Sequence, residues 1–210
     1  MLNKKSRIIY ALSLLVLFAI AVGYAYHLTK PISKLPYFGA TAESGKHHKI
    51  SPFKLTDQRG LIITNDSLKG KIYVADFFFT TCKTICPEMT TQMHRAYKIF
   101  LNDPSVSFVS HTVDPEFDTR EVLAAYAERL NAQSGKWYFL TGDNKEIYDL
   151  ARTAYFVSDT KGDGGSEDFV HTQNFALVDK QQHIRGYYDG TDSLQINKLI
   201  SDVEKLKRAE

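Results

Sequence analysis

The stretch that most limits the fold is Ile72 to Phe79 (IYVADFFF), a nearly unbroken apolar and aromatic run followed almost at once by Cys82, Cys86 and Pro87. A run of this kind suits a central strand covered on both faces. Pro87 fits the first turn of a helix, where its missing N–H costs nothing. Met89, Met93, Ala96, Tyr97 and Phe100 then recur at helical spacing. A buried strand therefore passes directly into a helix, and the chain's only two cysteines lie in the joint.

The same alternation continues downstream. Val106 to Val113 and Trp137 to Leu140 read as strands, and Asp118 or Thr119 caps a helix through Leu130. Lys145 to Arg152 forms a short helix, and residues 158–168 (SDTKGDGGSED) a polar loop. The domain opens with a hairpin, Ile50–Leu55 and Leu61–Thr64 around Asp57-Gln58-Arg59-Gly60. It closes with a second hairpin, Phe175–Val178 and Ile184–Tyr188, and an amphipathic helix from Ser193 to Lys207. Strands alternating with helices predict an α/β layered domain. With 43% hydrophobic residues the chain has material for a core without help from disulfides.

The N-terminus is of another kind. Ile8 to Leu28 form 21 positions without Asp, Glu, Lys or Arg, enough to cross the ~30 Å hydrocarbon layer as a helix. Lys4, Lys5 and Arg7 precede the run and Lys30 and Lys34 follow it, which favours a cytoplasmic N-terminus. A cleaved signal peptide is the alternative, although its apolar core is usually only about 7–15 residues long. Both readings export the rest of the chain. The expected organisation is an anchor over 1–28, a flexible spacer over 29–49 and a folded domain over 50–210. All 24 acids lie beyond residue 42 and five of the 26 bases belong to the anchor region, so the exported part carries 21 − 24 = −3. No basic stripe with interleaved aromatics marks a nucleic-acid partner.

Cys82 and Cys86 are spaced C-x3-C. As a passive staple the pair would close a ring of about five residues, worth roughly 2 kcal/mol. A thiol at a helix N-terminus instead meets oriented N–H groups and the positive end of the dipole, which stabilise thiolate. Thiolate both attacks disulfides and binds metal. Redox enzymes of the thioredoxin type use C-x-x-C, whereas the extra residue here leaves room for an ion, and two soft sulfurs favour Cu(I). The pair alone leaves both chemistries open.

The run DFFFTTCKTICPEMT (76–90) resembles the signature of the Sco/SenC copper proteins, which assemble the copper centre of cytochrome c oxidase. VDPEFDTREVLAAYA (113–127), WYFLTG (137–142) and HTQNFALVD (171–179) are similar to three further blocks of that family, in the same order. The resemblance implies a thioredoxin-like fold with an added N-terminal β-hairpin, preceded by one transmembrane helix. It implies Cys82, Cys86 and His171 as copper ligands, holding Cu(I), with Cu(II) as the alternative. The implied acceptor is subunit II of cytochrome c oxidase, with a thiol reductant protein as a further partner. The implied location is the cytoplasmic membrane, with the domain on its periplasmic side. Lys83-Thr84-Ile85 stands where many members read P-D-I or P-D-V, Arg120 where Pro is usual, and Val170 where many carry Asp. Losing that acid, where this chain has Thr84, and gaining Lys83 makes the site more positive, which favours thiolate and disfavours a bound cation.

Other candidates read differently. His111 is expected to be structural and His94 to face solvent, while the adjacent His47 and His48 could add an auxiliary metal contact. Met89 and Met93 belong to a core face, and Asp114 and Asp118 to a turn and a cap. Asp168 is the candidate to orient His171. The rival function is a thiol–disulfide reductase acting on the oxidase subunit or another exported copper protein, which needs both cysteines but not His171. A peroxiredoxin would need Pro at position 75 and Thr at 79, where this chain has Ala75 and Phe79. A passive binding module would need neither cysteine.

Overall fold

The computed structural model describes residues 12–23, 34–40, 45–157 and 172–209. The chain divides into two compact units, Met1–Ser33 and Lys34–Glu210. In the first, residues 12–23 form a helix, α1, whose large apolar side chains are exposed, Phe18 to 68%. Among the described residues no helix is long and apolar enough to cross a membrane. The remainder of the expected span over 8–28 lies outside the described residues.

The second unit is built on seven strands: β1 (Lys54–Asp57), β2 (Ile62–Thr64), β3 (Ile72–Phe78), β4 (Val106–Thr112), β5 (Trp137–Thr141), β6 (Asn174–Val178) and β7 (Ile184–Asp189). They form one sheet in the order β2-β1-β5-β4-β3-β6-β7. β3, β4 and β5 run parallel, and antiparallel hairpins close both edges. The expected N-terminal hairpin is the β1–β2 pair. Its turn is held by the Asp57 carboxylate, which accepts the N–H groups of Arg59 and Leu61 at 2.9 Å. Gly60 completes the turn at φ +84°, a left-handed conformation that costs glycine little.

Every residue of β3 is buried. Because side chains alternate across a strand, Tyr73, Ala75 and Phe77 enter one core, while Ile72, Val74 and Phe78 enter the other. The second core is covered by α2 (Cys86–Ile99), α3 (Arg120–Arg129) and α5 (Ser193–Ala209) through residues such as Met93, Leu123 and Val203. The first is covered by α4 (Asn144–Asp149) and the turn that follows. That turn, Leu150–Ala154, is a π-helix, with the Tyr155 N–H donating to the Leu150 carbonyl at 2.8 Å. The expected helix to Arg152 thus stops being α at Asp149, and the wider turn carries Ala154 and Tyr155 fully inside.

The described part of the expected spacer is tied to the folded unit, with Leu35, Phe38 and His48 half-buried and its other residues exposed. The compact unit begins at Lys34, not at Ile50. The Phe38 N–H donates to the Ile184 carbonyl at 3.0 Å, and Arg185 donates to the carbonyls of Leu35 and Pro36 at 2.6 and 3.0 Å. The same guanidinium lies 4.0 Å from the Tyr37 ring centroid and bonds Asp179 at 2.8 Å. The groups that hold this strap are on β7 and the turn before it, which local composition around residues 29–49 does not reveal.

Candidate metal and thiol site

The site lies where parallel neighbours β3 and β4 end. The Val113 N–H donates to the Phe78 carbonyl at 2.8 Å, so both chains leave the sheet together. From β3 the chain passes through Phe79 and Thr80, and the Cys82 N–H donates back to the Phe79 carbonyl at 3.3 Å. Helix α2 begins at Cys86, with Pro in its first turn as expected and no side chain capping its N-terminus. Its first N–H groups are therefore left for whatever lies at the cysteines.

Both cysteines are free thiols, Cys82 half-buried and Cys86 buried. They differ electrostatically. Partial burial raises the Cys82 thiol, but hydrogen bonds from the Cys86 thiol and main chain, and from Thr84, outweigh it and bring it down to about 7. The Thr84 hydroxyl is 3.6 Å from the Cys82 sulfur. Burial pushes Cys86 up to about 12, reinforced by its hydrogen bond to Cys82. At neutral pH the outer sulfur is substantially thiolate, while the inner one keeps its proton and donates it to its neighbour.

The two sulfurs line a cavity of about 60 Å³, shared with Phe77, Phe79, Thr84, Ile85, Val113 and Thr172. Sites for drug-sized ligands take roughly 300 Å³ or more. This space suits an ion. The predicted third ligand, His171, and its candidate orienting acid, Asp168, lie outside the described residues, as does Val170. Thr172, bonded to His171, lines the cavity. Among the described residues no group of three or more His, Cys, Asp or Glu is arranged to hold a metal ion.

The remaining candidates are accounted for. Met89 and Met93 are 1% and 0% exposed, in the core as expected. His111 is fully buried, stacked on Phe77 with ring centroids 4.8 Å apart, and burial lowers it to about 3. His94 is half-buried rather than fully solvated, its ring stacked on Tyr97 and Trp137 at 5.8 and 6.2 Å. His47 stacks on Tyr37 at 3.9 Å, and His48 donates to the Ala154 carbonyl at 2.8 Å, which gives both a packing role. The helix cap is Thr119, whose hydroxyl accepts the Val122 N–H, and not Asp118. Asp118 is fully buried and accepts hydrogen bonds from Thr80 and Thr112.

Asp76 was not singled out by its sequence context, although one acid inside IYVADFFF is the available signal. It is buried on the α2 side of β3. Burial lifts its carboxyl to about 7, partly opposed by a hydrogen bond from Ser110. Its charge is felt at Cys86, where it adds to the upward shift.

A protein-family model described as SCO1/SenC matches residues 41–208. This chain belongs to the SCO1/SenC family. Among its relatives, the SCO1 protein homolog of Bacillus subtilis (strain 168) is 32% identical over 160 residues, covering 75% of this chain and 82% of the relative. A solved structure of BsSco, described as a member of the Sco family of cytochrome c oxidase assembly proteins with a disulfide switch, superposes with a TM-score of 0.66. It is 32% identical and covers 78% of this chain and 95% of that one. ScoI of Arabidopsis thaliana, solved with copper bound, gives a TM-score of 0.60 at 28% identity, covering 76% and 98%. This Sco/SenC chain thus has the family's thioredoxin-like α/β sheet, and the four sequence blocks fall within the matched region.

Proposed function

We propose that the protein is a copper-binding assembly factor that carries one copper ion on Cys82, Cys86 and His171 and delivers it to the copper centre of cytochrome c oxidase subunit II. The observation that carries this reading is the pair of free, hydrogen-bonded thiols lining an ion-sized cavity that Thr172, the neighbour of His171, helps to close. Two sulfurs and an imidazole form a soft set suited to Cu(I). A half-exposed Cys82 leaves one ligand open to donors on the acceptor, so that transfer proceeds by exchanging ligands one at a time. A partner protein keeps the thiols reduced, because a disulfide cannot bind the ion. Residues 8–28 anchor the chain in the cytoplasmic membrane with the domain on the periplasmic side, consistent with the exposed apolar side chains of α1.

A second reading, reduction of disulfides on the same acceptor or on another exported copper protein, is favoured by the split between the thiols. Cys82, accessible and at about 7, suits attack, and Cys86, buried and at about 12, would need activation before it could resolve a mixed disulfide. Cu(I) titration of the reduced full chain in detergent separates the two, using Cys82→Ser, Cys86→Ser and His171→Ala. Copper delivery expects one-to-one binding in the parent and a loss of at least tenfold in every variant. Normal binding by His171→Ala, with disulfide reduction abolished by Cys82→Ser, would establish the reductase instead.

A further inference from the structure

We infer that Asp118 is a positioning residue for the thiol pair, its carboxylate fixing where Cys82 stands relative to Cys86. The inference rests on the reading of the two cysteines as the working groups.

Asp118 comes from the loop after β4, thirty-six residues beyond Cys82 (118 − 82), and is fully buried. Its carboxylate accepts the Thr80 N–H at 3.0 Å, the Thr80 hydroxyl, and the Thr112 hydroxyl at 2.5 Å. All three donors are neutral, and burying a carboxylate among them is costly unless its acceptor positions are filled. Only a carboxylate offers that many acceptor sites in one plane. Helix capping does not explain the residue, because Thr119 performs it.

The bonds reach two separate stretches of chain that line the cavity. Thr80 lies between the lining residues Phe79 and Cys82. Thr112 precedes Val113, which also lines it. The Asp118 N–H also donates to the Asp114 carbonyl at 2.8 Å, so the loop carrying the carboxylate is itself closed. Between Thr80 and Cys86, the residues Thr81, Lys83, Thr84 and Ile85 are exposed. The segment bearing Cys82 is therefore held chiefly at its two ends, by Asp118 at Thr80 and by α2 at Cys86. Releasing the first hold lets one sulfur move while the other stays.

The test uses the full chain in detergent micelles, with Asp118→Asn and Thr80→Val, the latter replacing the hydroxyl by a methyl group and keeping the main-chain N–H. Two quantities are measured beside far-UV circular dichroism: Cu(I) affinity by competition with bicinchoninate, and the thiol–disulfide equilibrium with dithiothreitol. In that exchange the Cys82 and Cys86 thiols lose two electrons and two protons as the sulfurs join, and oxidised dithiothreitol gains them. Each variant is expected to keep its helix and strand content while both constants fall by about tenfold or more. The double variant should lose no more than the worse single one, since both substitutions break the same link. A lower melting temperature with both constants unchanged would make Asp118 a purely structural residue and overturn the inference. Should Asp118→Asn fail to fold, Thr80→Val decides alone. A parent chain that binds no Cu(I) defeats the copper reading, and the dithiothreitol equilibrium still tests the positioning.

Discussion

Two buried side chains on neighbouring strands set opposite pH dependences for folding. Asp76 is raised from 3.8 to about 7 by burial, so between about pH 4 and 7 the folded state holds a proton that the unfolded chain releases. Its contribution is full below pH 4 and is lost as pH rises through 7. His111 is lowered from 6.5 to about 3 by burial, and its contribution is full above pH 6.5 and is lost as pH falls through 3. From about pH 4 to 6.5 the two slopes oppose and largely cancel. Asp76→Asn should therefore gain about 1.4 kcal/mol of stability per pH unit across that range, and His111→Phe should lose a similar amount. Urea unfolding at a series of pH values reads the slopes, and three parallel curves would refute the assignment. Neither residue was fully legible in sequence. His111 is recognisable as structural from its place in a strand, but its aromatic surroundings, Phe77, Phe53 and Tyr155, come from three separate segments.

At the level of elements, local pattern carried most of the information. The apolar run ends as a strand at Phe78, one residue short of the expected Phe79, and the helical spacing from Met89 to Tyr97 matches the buried face of α2. Both hairpins and α5 also lie close to where turn residues and periodicity place them. What local pattern could not show was which of two adjacent polar residues caps α3, since Asp and Thr are both good caps. The choice is made by Thr80, whose main chain and hydroxyl recruit Asp118 from a distant part of the sequence. This gives Thr119→Ala and Asp118→Asn different signatures. Thr119→Ala should cost about 1 kcal/mol in urea unfolding and leave the dithiothreitol equilibrium of the cysteines unchanged. A shift in that equilibrium would mean that α3, and not the single carboxylate, governs the thiols.

For the whole folded unit, the boundary at Lys34 has a measurable consequence. A chain that starts at Lys34 retains the strap and should melt as the parent's folded unit does. A chain that starts at Ser51 lacks Tyr37, Phe38, His48 and Ile50, with their bonds to Ala154, Gln182, Ile184 and the Arg185 guanidinium. It should melt roughly 5–10 °C lower, as expected when about 2–3 kcal/mol is removed from a domain of this size. Equal midpoints by calorimetry would show the strap to be dispensable.

The position of β6 beside β3 also orders events in time. Thr172 follows Cys82 by 172 − 82 = 90 residues, and its place at the cavity depends on a strand that comes later in the chain than all the parallel ones. Synthesis from the N-terminus therefore brings both sulfurs out of the ribosome well before their enclosure can be finished. A fragment that stops short of the C-terminal hairpin lacks the strand that holds Thr172 at the pocket.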